Sequence, residues 1–368
     1  MSAGAPLSRR DFLRVSGGAG VGLVVAFSLP SCTRGSERAL LPTPGSGELN
    51  AFIRIAPDGS ATFTIPKAEM GQGVWTALSR LLAEELEIDW SQVRAEPAPV
   101  DEARYGMQLT GGSSSVRRSY EPLRRAGAAA RELLIAAAAA HWGLPASECR
   151  AESGMVLHSA SRRSVGYGEL AVRAASLAPP ADPPLKPKSA LRLLGAPAAR
   201  LDTPAKIDGS AVFGIDVRLP GMLFAQVERC PQLGGKLASF DASAALAVDG
   251  VKQVFEIPSG VAVVASGFWA AKQGREKLRV SWSPGPHGAL DNGAIRARCT
   301  AMLERAKNVR DDGDVERALQ GAARRVEALY EFPYLAHATL EPMNCTARVD
   351  ADSAEIWVPA QNAEASHA

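Results

Sequence analysis

The sequence predicts an α+β protein in which a helix-rich part is followed by a strand-rich part. Apolar residues recur at helical spacing in two stretches between residues 74 and 140, and short β-type runs dominate between 201 and 282. Ser/Gly/Pro-rich segments at 33–48 and 179–199 indicate linkers. A chain of 368 residues is long enough for about two or three domains.

The net charge and the cysteine spacing argue against two classes of function, nucleic-acid binding and metal or cluster binding. The formal net charge is only +2, and a nucleic-acid-binding surface usually needs a basic stripe, so we expect no nucleic-acid partner. The five cysteines form no Cys-x-x-Cys motif, and buried free thiols are the simpler interpretation of the last four. We therefore predict neither a metal site nor an iron–sulfur cluster within this chain.

Residues 1–32 have the pattern of a twin-arginine export signal. Arg9 and Arg10 precede the weakly apolar stretch 17–29, which is shorter than the roughly 20 residues of a membrane-spanning helix. We expect export to the periplasm by this pathway, with cleavage near its end. Lipid attachment at Cys32 is the alternative, because residues 29–32 resemble a lipobox.

The first elements after this signal are a hairpin and a helix. Alternating apolar residues over 52–65 around Asp58-Gly59 predict a β-hairpin. Apolar residues spaced from Val74 to Leu86 predict a helix ending near Glu87, and a strand begins around Val93.

A second helix is predicted to begin around Pro122 and to run through 126–140. Pro122 suits its first turn, and Gly143 and Pro145 suit its end. Its alanine-rich face implies close packing against a neighbour.

Beyond Leu201 the pattern is mainly of short strands. The predicted strands lie at 212–217, 223–228, 251–257, 261–265, 278–282, 325–332, 344–349 and 354–358. Helices are predicted at 242–247 and 295–307. We find no internal repeat.

Two glycine-rich loops are the candidate binding site. Each precedes a predicted helix, and the unpaired N–H groups of a helix N-terminus bind anions well. Neither loop has the Walker pattern or the dinucleotide-binding glycine pattern. Together they suit a large anionic cofactor, although the first also fits a turn and the second an N-cap cluster. The candidate residues are Gly71, Gln72, Gly73, Gly111, Gly112, Ser113, Ser114 and Ser115.

Other polar residues are weaker candidates. His337 and Glu341 lie four residues apart, but Pro333 and Pro342 argue against a continuous helix and no third ligand lies nearby. A structural role near the entrance to a binding site is the preferred interpretation. The adjacent arginines 117 and 118 suit either phosphate contact or a solvated surface.

Several separated segments together resemble one family, the molybdopterin-binding large subunit of xanthine dehydrogenases and aldehyde oxidases. The resemblance is closest to its isoquinoline 1-oxidoreductase β-subunit type, in which the glycine-rich loops also precede the hammerhead domain. The matching segments are EMGQGV at 69–74, TAL at 76–78, AEEL at 83–86, TGGSSSVR at 110–117, LRRAGA at 123–128, RLDTPAKIDG at 200–209, FGIDV at 213–217 and YLAHATLEPMNC at 334–345.

The resemblance implies a domain order and a cofactor. It implies a partial molybdopterin-binding domain at 49–178, an α/β hammerhead-like domain at 200–285 and the start of a second molybdopterin-binding domain at 286–368. The eight loop residues would contact molybdopterin, either as such or as its cytosine dinucleotide. A small partner subunit would carry [2Fe-2S] clusters.

The implied reaction is hydroxylation of N-heterocycles or oxidation of aldehydes, with water as the oxygen source. The family's catalytic glutamate lies in a Gly-Glu-Pro segment, which this sequence does not contain. We therefore name no catalytic base and expect a truncated subunit, inactive without a C-terminal half or a complementing chain. An exported non-catalytic cofactor-binding or interaction module is the alternative.

Overall fold

The computed structural model describes residues 23–25 and 52–367, except 304, 306, 308 and 311. Two compact units are present. The first combines Met1–Ile215 with Met343–Ala368, and the second is Asp216–Pro342. The domain boundaries expected from the sequence remain predictions. The predicted export signal and the predicted first linker lie outside the described residues, apart from residues 23–25.

A four-stranded sheet and a crossover helix begin the first unit. The strands, in spatial order, are β1 (Leu23–Val25), β2 (Ile53–Ile55), β3 (Ala61–Ile65) and β4 (Val93–Pro97). The predicted hairpin is confirmed, since β2 pairs antiparallel with β3. β3 and β4 pair in parallel, and the predicted helix α1 (Val74–Leu86) connects them. The apolar face of α1 is buried in the main core.

A second long helix packs closely against α1, after the short helix α2 (Glu102–Tyr105). This helix, α3, spans Ser115–Trp142, so it begins seven residues before Pro122, the residue predicted for its first turn. Pro122 lies inside this helix and not in its first turn. The helix continues past it because residues on both sides, Ser119 and Leu123, are already buried on its inner face. A Cβ on Gly127 would lie 2.5 Å from the carbonyl oxygen of Leu82. The prediction of close packing is confirmed.

A three-stranded antiparallel sheet follows α3, and no sequence pattern predicted it. Its strands are β5 (Cys149–Glu152), β6 (Met155–His158) and β7 (Arg163–Gly166), followed by helix α4 (Tyr167–Ala175). The buried Tyr167 hydroxyl donates to the Leu86 carbonyl oxygen at 2.7 Å. This contact joins α4 to the end of α1.

Two buried glutamates of α1, Glu84 and Glu85, bind the proline-rich segment 179–199 through hydrogen bonds from its backbone N–H groups. Glu84 accepts hydrogen bonds from the backbone N–H groups of Arg192, Leu193 and Leu194, and it pairs with Lys186 Nζ. Burial alone would raise the pKa of Glu84, but these donors together lower it. The segment therefore belongs to the packed structure of the first unit.

The second unit contains two small antiparallel sheets. One has the strand order β10 (Val251–Ile257), β11 (Gly260–Ala265) and β8 (Phe224–Glu228), and the other pairs β9 (Lys236–Asp241) with β12 (Arg279–Ser283). Helices α6 (Ser243–Leu246) and α7 (Phe268–Lys277) accompany them. The predicted strands at 223–228, 251–257, 261–265 and 278–282 are thus confirmed within one or two residues.

Two predicted strands did not form. Residues 212–217 contain only the 3-10 turn Gly214–Asp216, which follows the short helix α5 (Thr203–Ile207). Residues 325–332 carry neither helix nor strand. In both places an alternating pattern lacks a partner strand among the described residues, and a strand needs one for its backbone hydrogen bonds.

The last elements are short. Helices α8 (Asn292–Leu303) and α9 (Val315–Gln320) lie in the second unit. The hairpin of β13 (Thr346–Val349) and β14 (Ala354–Trp357) and helix α10 (Ala363–His367) lie in the first. Among the described residues, no helix is long and apolar enough to cross a membrane.

Candidate cofactor site

Both glycine-rich loops line one cavity of the first unit. The cavity has a volume of about 490 Å³, and α1 and α3 both begin at it. The two helices therefore direct the positive ends of their dipoles to the same place. Of the predicted residues, the cavity is lined by Gln72, Gly111, Gly112, Ser113 and Ser115. Gly71, Gly73 and Ser114 lie beside it in the same loops.

The N-terminus of α1 already holds an anion from the chain itself. The Glu69 carboxylate accepts hydrogen bonds from the N–H groups of Gly71 at 2.8 Å, Gly73 at 2.9 Å and Trp75 at 3.1 Å. The expectation of bare N–H groups at the first loop was therefore wrong. The positive φ values of Gly71 (100°) and Gly73 (80°) allow the loop to curl around this side chain.

Further contacts fix the shape of the first loop. Gln72 Nε2 donates to the Ala68 carbonyl oxygen at 2.9 Å, and Gln72 Oε1 accepts from the Met70 N–H at 2.6 Å. Arg200 donates to the Gly71 carbonyl oxygen at 2.7 Å and also pairs with Asp202 at 2.7 Å. The hydrogen bond from Arg200 is the main cause that lowers the pKa of Asp202.

The second loop leaves its donors facing the cavity. Ser114 Oγ donates to the Gly111 carbonyl oxygen at 2.8 Å and does not cap α3. The first-turn N–H groups of α3 have no partner within the helix, because its first backbone bond runs from Arg118 to Ser114. Gly112 and Ser113 both have positive φ, at 61° and 51°. A tight turn thus presents open N–H and hydroxyl groups.

Sequence reasoning missed several residues that build the site. The Thr110 hydroxyl accepts from the Ala68 N–H at 2.8 Å and so ties the two loops together. The Thr110 N–H donates to the carbonyl oxygen of Gln361, which also lines the cavity. Lys67 Nζ donates to the carbonyl oxygens of Met107 and Leu109, and burial lowers its pKa. Glu69, described above, was also missed, although an acidic side chain just before the start of a helix is a recognisable sequence signal.

The remaining candidates are not gathered at this site. His337 and Glu341 lie in a stretch without helix or strand, in the second unit. Arg118 contacts the Met107 sulfur at 3.4 Å, and Arg117 is exposed. Within the described part of the chain, no group of three histidine, cysteine or acidic residues is arranged to hold a metal ion.

We predict that Glu69→Ala will destabilise the first unit by about 1–2 kcal/mol, the typical cost of losing a helix N-cap. The substitution removes the acceptor for three N–H groups and a partner of Arg200. Urea denaturation followed by circular dichroism measures the change. Glu121→Ala, on the exposed side of α3, is the control, and equal stabilities of the two variants would contradict the capping role.

Comparison with known proteins places this site in a family. The profile of the molybdopterin cofactor-binding domain matches residues 9–204, which include both loops. This chain therefore belongs to the molybdopterin-binding proteins of the xanthine dehydrogenase and aldehyde oxidase family.

Three curated relatives are similar in sequence to this chain over most of its length. The β-subunit of isoquinoline 1-oxidoreductase from Brevundimonas diminuta is 33% identical over 96% of this chain and 52% of its own length. The membrane-bound aldehyde dehydrogenase (pyrroloquinoline-quinone) of Gluconacetobacter polyoxogenes is 34% identical over 93% and 46%. A nicotinate dehydrogenase subunit of Pseudomonas putida is 32% identical over 88% and 28%. The chain spans about half the length of the first two relatives.

Proposed function

We propose that this chain forms the molybdopterin-binding part of an oxidoreductase that hydroxylates N-heterocycles or oxidises aldehydes, with water as the oxygen source. The observation that carries the proposal is the cavity at which α1 and α3 begin, lined from both glycine-rich loops. The names of the relatives supply the substrate classes, because they include isoquinoline, nicotinate and aldehyde.

The two loops suit different parts of the cofactor. The second loop offers open N–H groups at the positive end of α3, together with the hydroxyls of Ser113 and Ser115, and so fits a phosphate. At the first loop Glu69 already neutralises the positive end of α1. The remaining donor and acceptor capacity of the Gln72 amide fits the uncharged pterin ring better.

The described residues bind and orient, and the cofactor brings the redox chemistry. When bound, a molybdenum cofactor supplies two-electron oxidation with oxygen taken from water. Arg200 and Thr110 hold the loops in place, the former through the Gly71 carbonyl oxygen and the latter through the Ala68 N–H. We assign no catalytic base among the described residues, and we propose that it lies in the part of the relatives that this chain does not span.

Partners and location follow as further proposals. Two relatives are named as subunits, which supports a separate electron-carrying subunit, and we propose that it holds [2Fe-2S] clusters. We also propose the cytosine dinucleotide form of the cofactor, export by the twin-arginine pathway, and either signal cleavage or lipid attachment at Cys32. The motifs at Arg9-Arg10 and residues 29–32 support the last two.

We predict that Ser115→Asp will separate cofactor binding from stability. A carboxylate at the first position of α3 should leave the helix as stable or stabilise it by about 0.3–1 kcal/mol, while it repels a phosphate in the cavity. The variant and the unchanged protein are purified from a bacterium that makes molybdenum cofactor. Molybdenum is measured by mass spectrometry and the pterin by fluorescence after oxidation. We expect at least a tenfold loss of both at unchanged thermal stability.

The control variant is Ser243→Asp, at the start of helix α6 in the second unit, which should keep the cofactor content of the unchanged protein. Intact mass on the same samples reports signal removal and any second polypeptide. If the unchanged protein holds neither molybdenum nor pterin, the proposal fails and a non-catalytic module remains.

A further inference from the structure

A long stretch of the second unit has no core of its own. From residue 285 to residue 340, none of the described residues is buried. Helices α8 and α9 lie in this stretch, and neither has a buried side chain. A helix or strand of a globular protein normally covers its apolar face with another element. This stretch therefore presents one side of an interface.

The 325–332 segment within this stretch has the pattern of an amphipathic strand. Val326, Ala328, Tyr330 and Phe332 alternate with Glu327, Leu329 and Glu331, so in an extended chain the first four share one apolar face. Val326 is 80% exposed, Tyr330 is 77% and Phe332 is 85%. Glu331, on the other face, pairs with Arg296 of α8 at 3.0 Å. The charged face thus has a partner, whereas the apolar face is open to solvent.

The backbone of the 325–332 segment is equally open. Within the described parts of the chain, no backbone–backbone hydrogen bond involves residues 326–335. Unpaired N–H and C=O groups beside an apolar face are what a strand offers to a partner strand. Pro333 then ends the run, because proline cannot donate to a sheet ladder.

The geometry points to a specific occupant. We propose that the 325–332 segment pairs, as an added strand, with the polypeptide that corresponds to the remaining half of the relatives. The chain covers 52% and 46% of the two relatives it matches over almost its whole length, so each of them has about as much chain again to cover this surface. The apolar face carries no charge and therefore suits the apolar face of a protein strand. The proposal rests on family membership and not on cofactor binding.

The test is reconstitution from two chains. The full-length chain is co-expressed with the part of the Brevundimonas diminuta relative that has no counterpart here, and a tag on this chain is used for purification. We expect an equimolar complex, in which hydrogen exchange at residues 326–332 slows at least tenfold relative to this chain alone. The measurement needs no molybdenum, so its failure is distinct from a failure of the proposed function.

Variants decide whether this segment makes the contact. Val326→Asp with Tyr330→Asp should weaken the complex at least tenfold, and Ala328→Pro should do the same by removing a backbone donor. Leu233→Asp, at another exposed apolar residue of the second unit (80% exposed), should leave the complex unchanged. Circular dichroism checks that all three keep the fold. Failure to form a complex, a complex indifferent to the segment variants, or a homodimer that these variants abolish would each overturn the proposal.

Discussion

Glu85→Ala is expected to destabilise the first unit by about 3–5 kcal/mol, the usual cost of removing one partner from a buried ion-pair network. The Glu85 side chain is fully buried, and its carboxylate pairs with Arg124 at 2.6 Å and Arg131 at 3.1 Å. It also accepts from the Lys186 N–H at 3.0 Å. Both guanidinium groups are about nine-tenths buried; without Glu85, Arg124 would lose the carboxylate it pairs with, and Arg131 would be left with its pair to the partly exposed Glu132 at 3.1 Å.

The measurement is native-state hydrogen exchange of the amides in α1 and α3, which reports the opening free energy of this unit alone. Glu85→Gln keeps the shape and one acceptor but no charge, so its loss should be smaller. Glu96→Ala is the matched control, because the Arg54–Glu96 pair is about half exposed on both sides and surface pairs contribute about 0–1 kcal/mol. A loss below about 1 kcal/mol for Glu85→Ala would mean that the network is not needed for stability.

Gly127→Ala is expected to destabilise the same unit by about 1–3 kcal/mol, in the range of overpacked cores. The new Cβ would lie 2.5 Å from the Leu82 carbonyl oxygen and 3.0 Å from Glu85 Cβ, so α1 and α3 would have to separate. In an ordinary exposed helix the same change would stabilise by about 1 kcal/mol. The sign of the change therefore reports whether the two backbones approach this closely.

Thermal unfolding gives the sign directly. Ala140→Gly, at the exposed end of α3, is the reverse substitution in the same helix and should cost about 0.5–1 kcal/mol. Should Gly127→Ala raise the unfolding temperature, the close contact between α1 and α3 would be refuted.

Much of the local structure was predictable. The hairpin and α1 formed where alternating or helical spacing predicted them, because each pattern coincided with a buried face. Four strands of the second unit also formed where predicted, and of these four only β11 contains buried residues. The 325–332 segment shows the limit of such patterns. Its alternation is as regular as that of a strand, but a strand also needs a partner, and pattern alone does not supply one.

The sequence located both loops of the candidate site but not its electrostatics. Both loops were identified from glycines before apolar helical spacing, and the structure brings them to one cavity. Glu69 and Gln361 were missed for different reasons. The first was interpreted only as part of a motif and not as the anion that caps α1. The second lies 288 positions beyond Gly73 in the chain, and only folding brings it to the cavity.

Sequence patterns alone were enough to place the hairpin, α1, four strands of the second unit and both glycine-rich loops, and to indicate the family. These follow from short-range spacing and from the identity of residues in motifs. Three features became visible only in the folded structure. Glu69 accepts from the N–H groups of the first loop, whereas the first-turn N–H groups of α3 have no partner within that helix. Glu84 and Glu85 bind the proline-rich segment, and α3 continues past Pro122. Each of these depends on burial and on contacts between residues distant in the chain, and local spacing carries no information about such contacts.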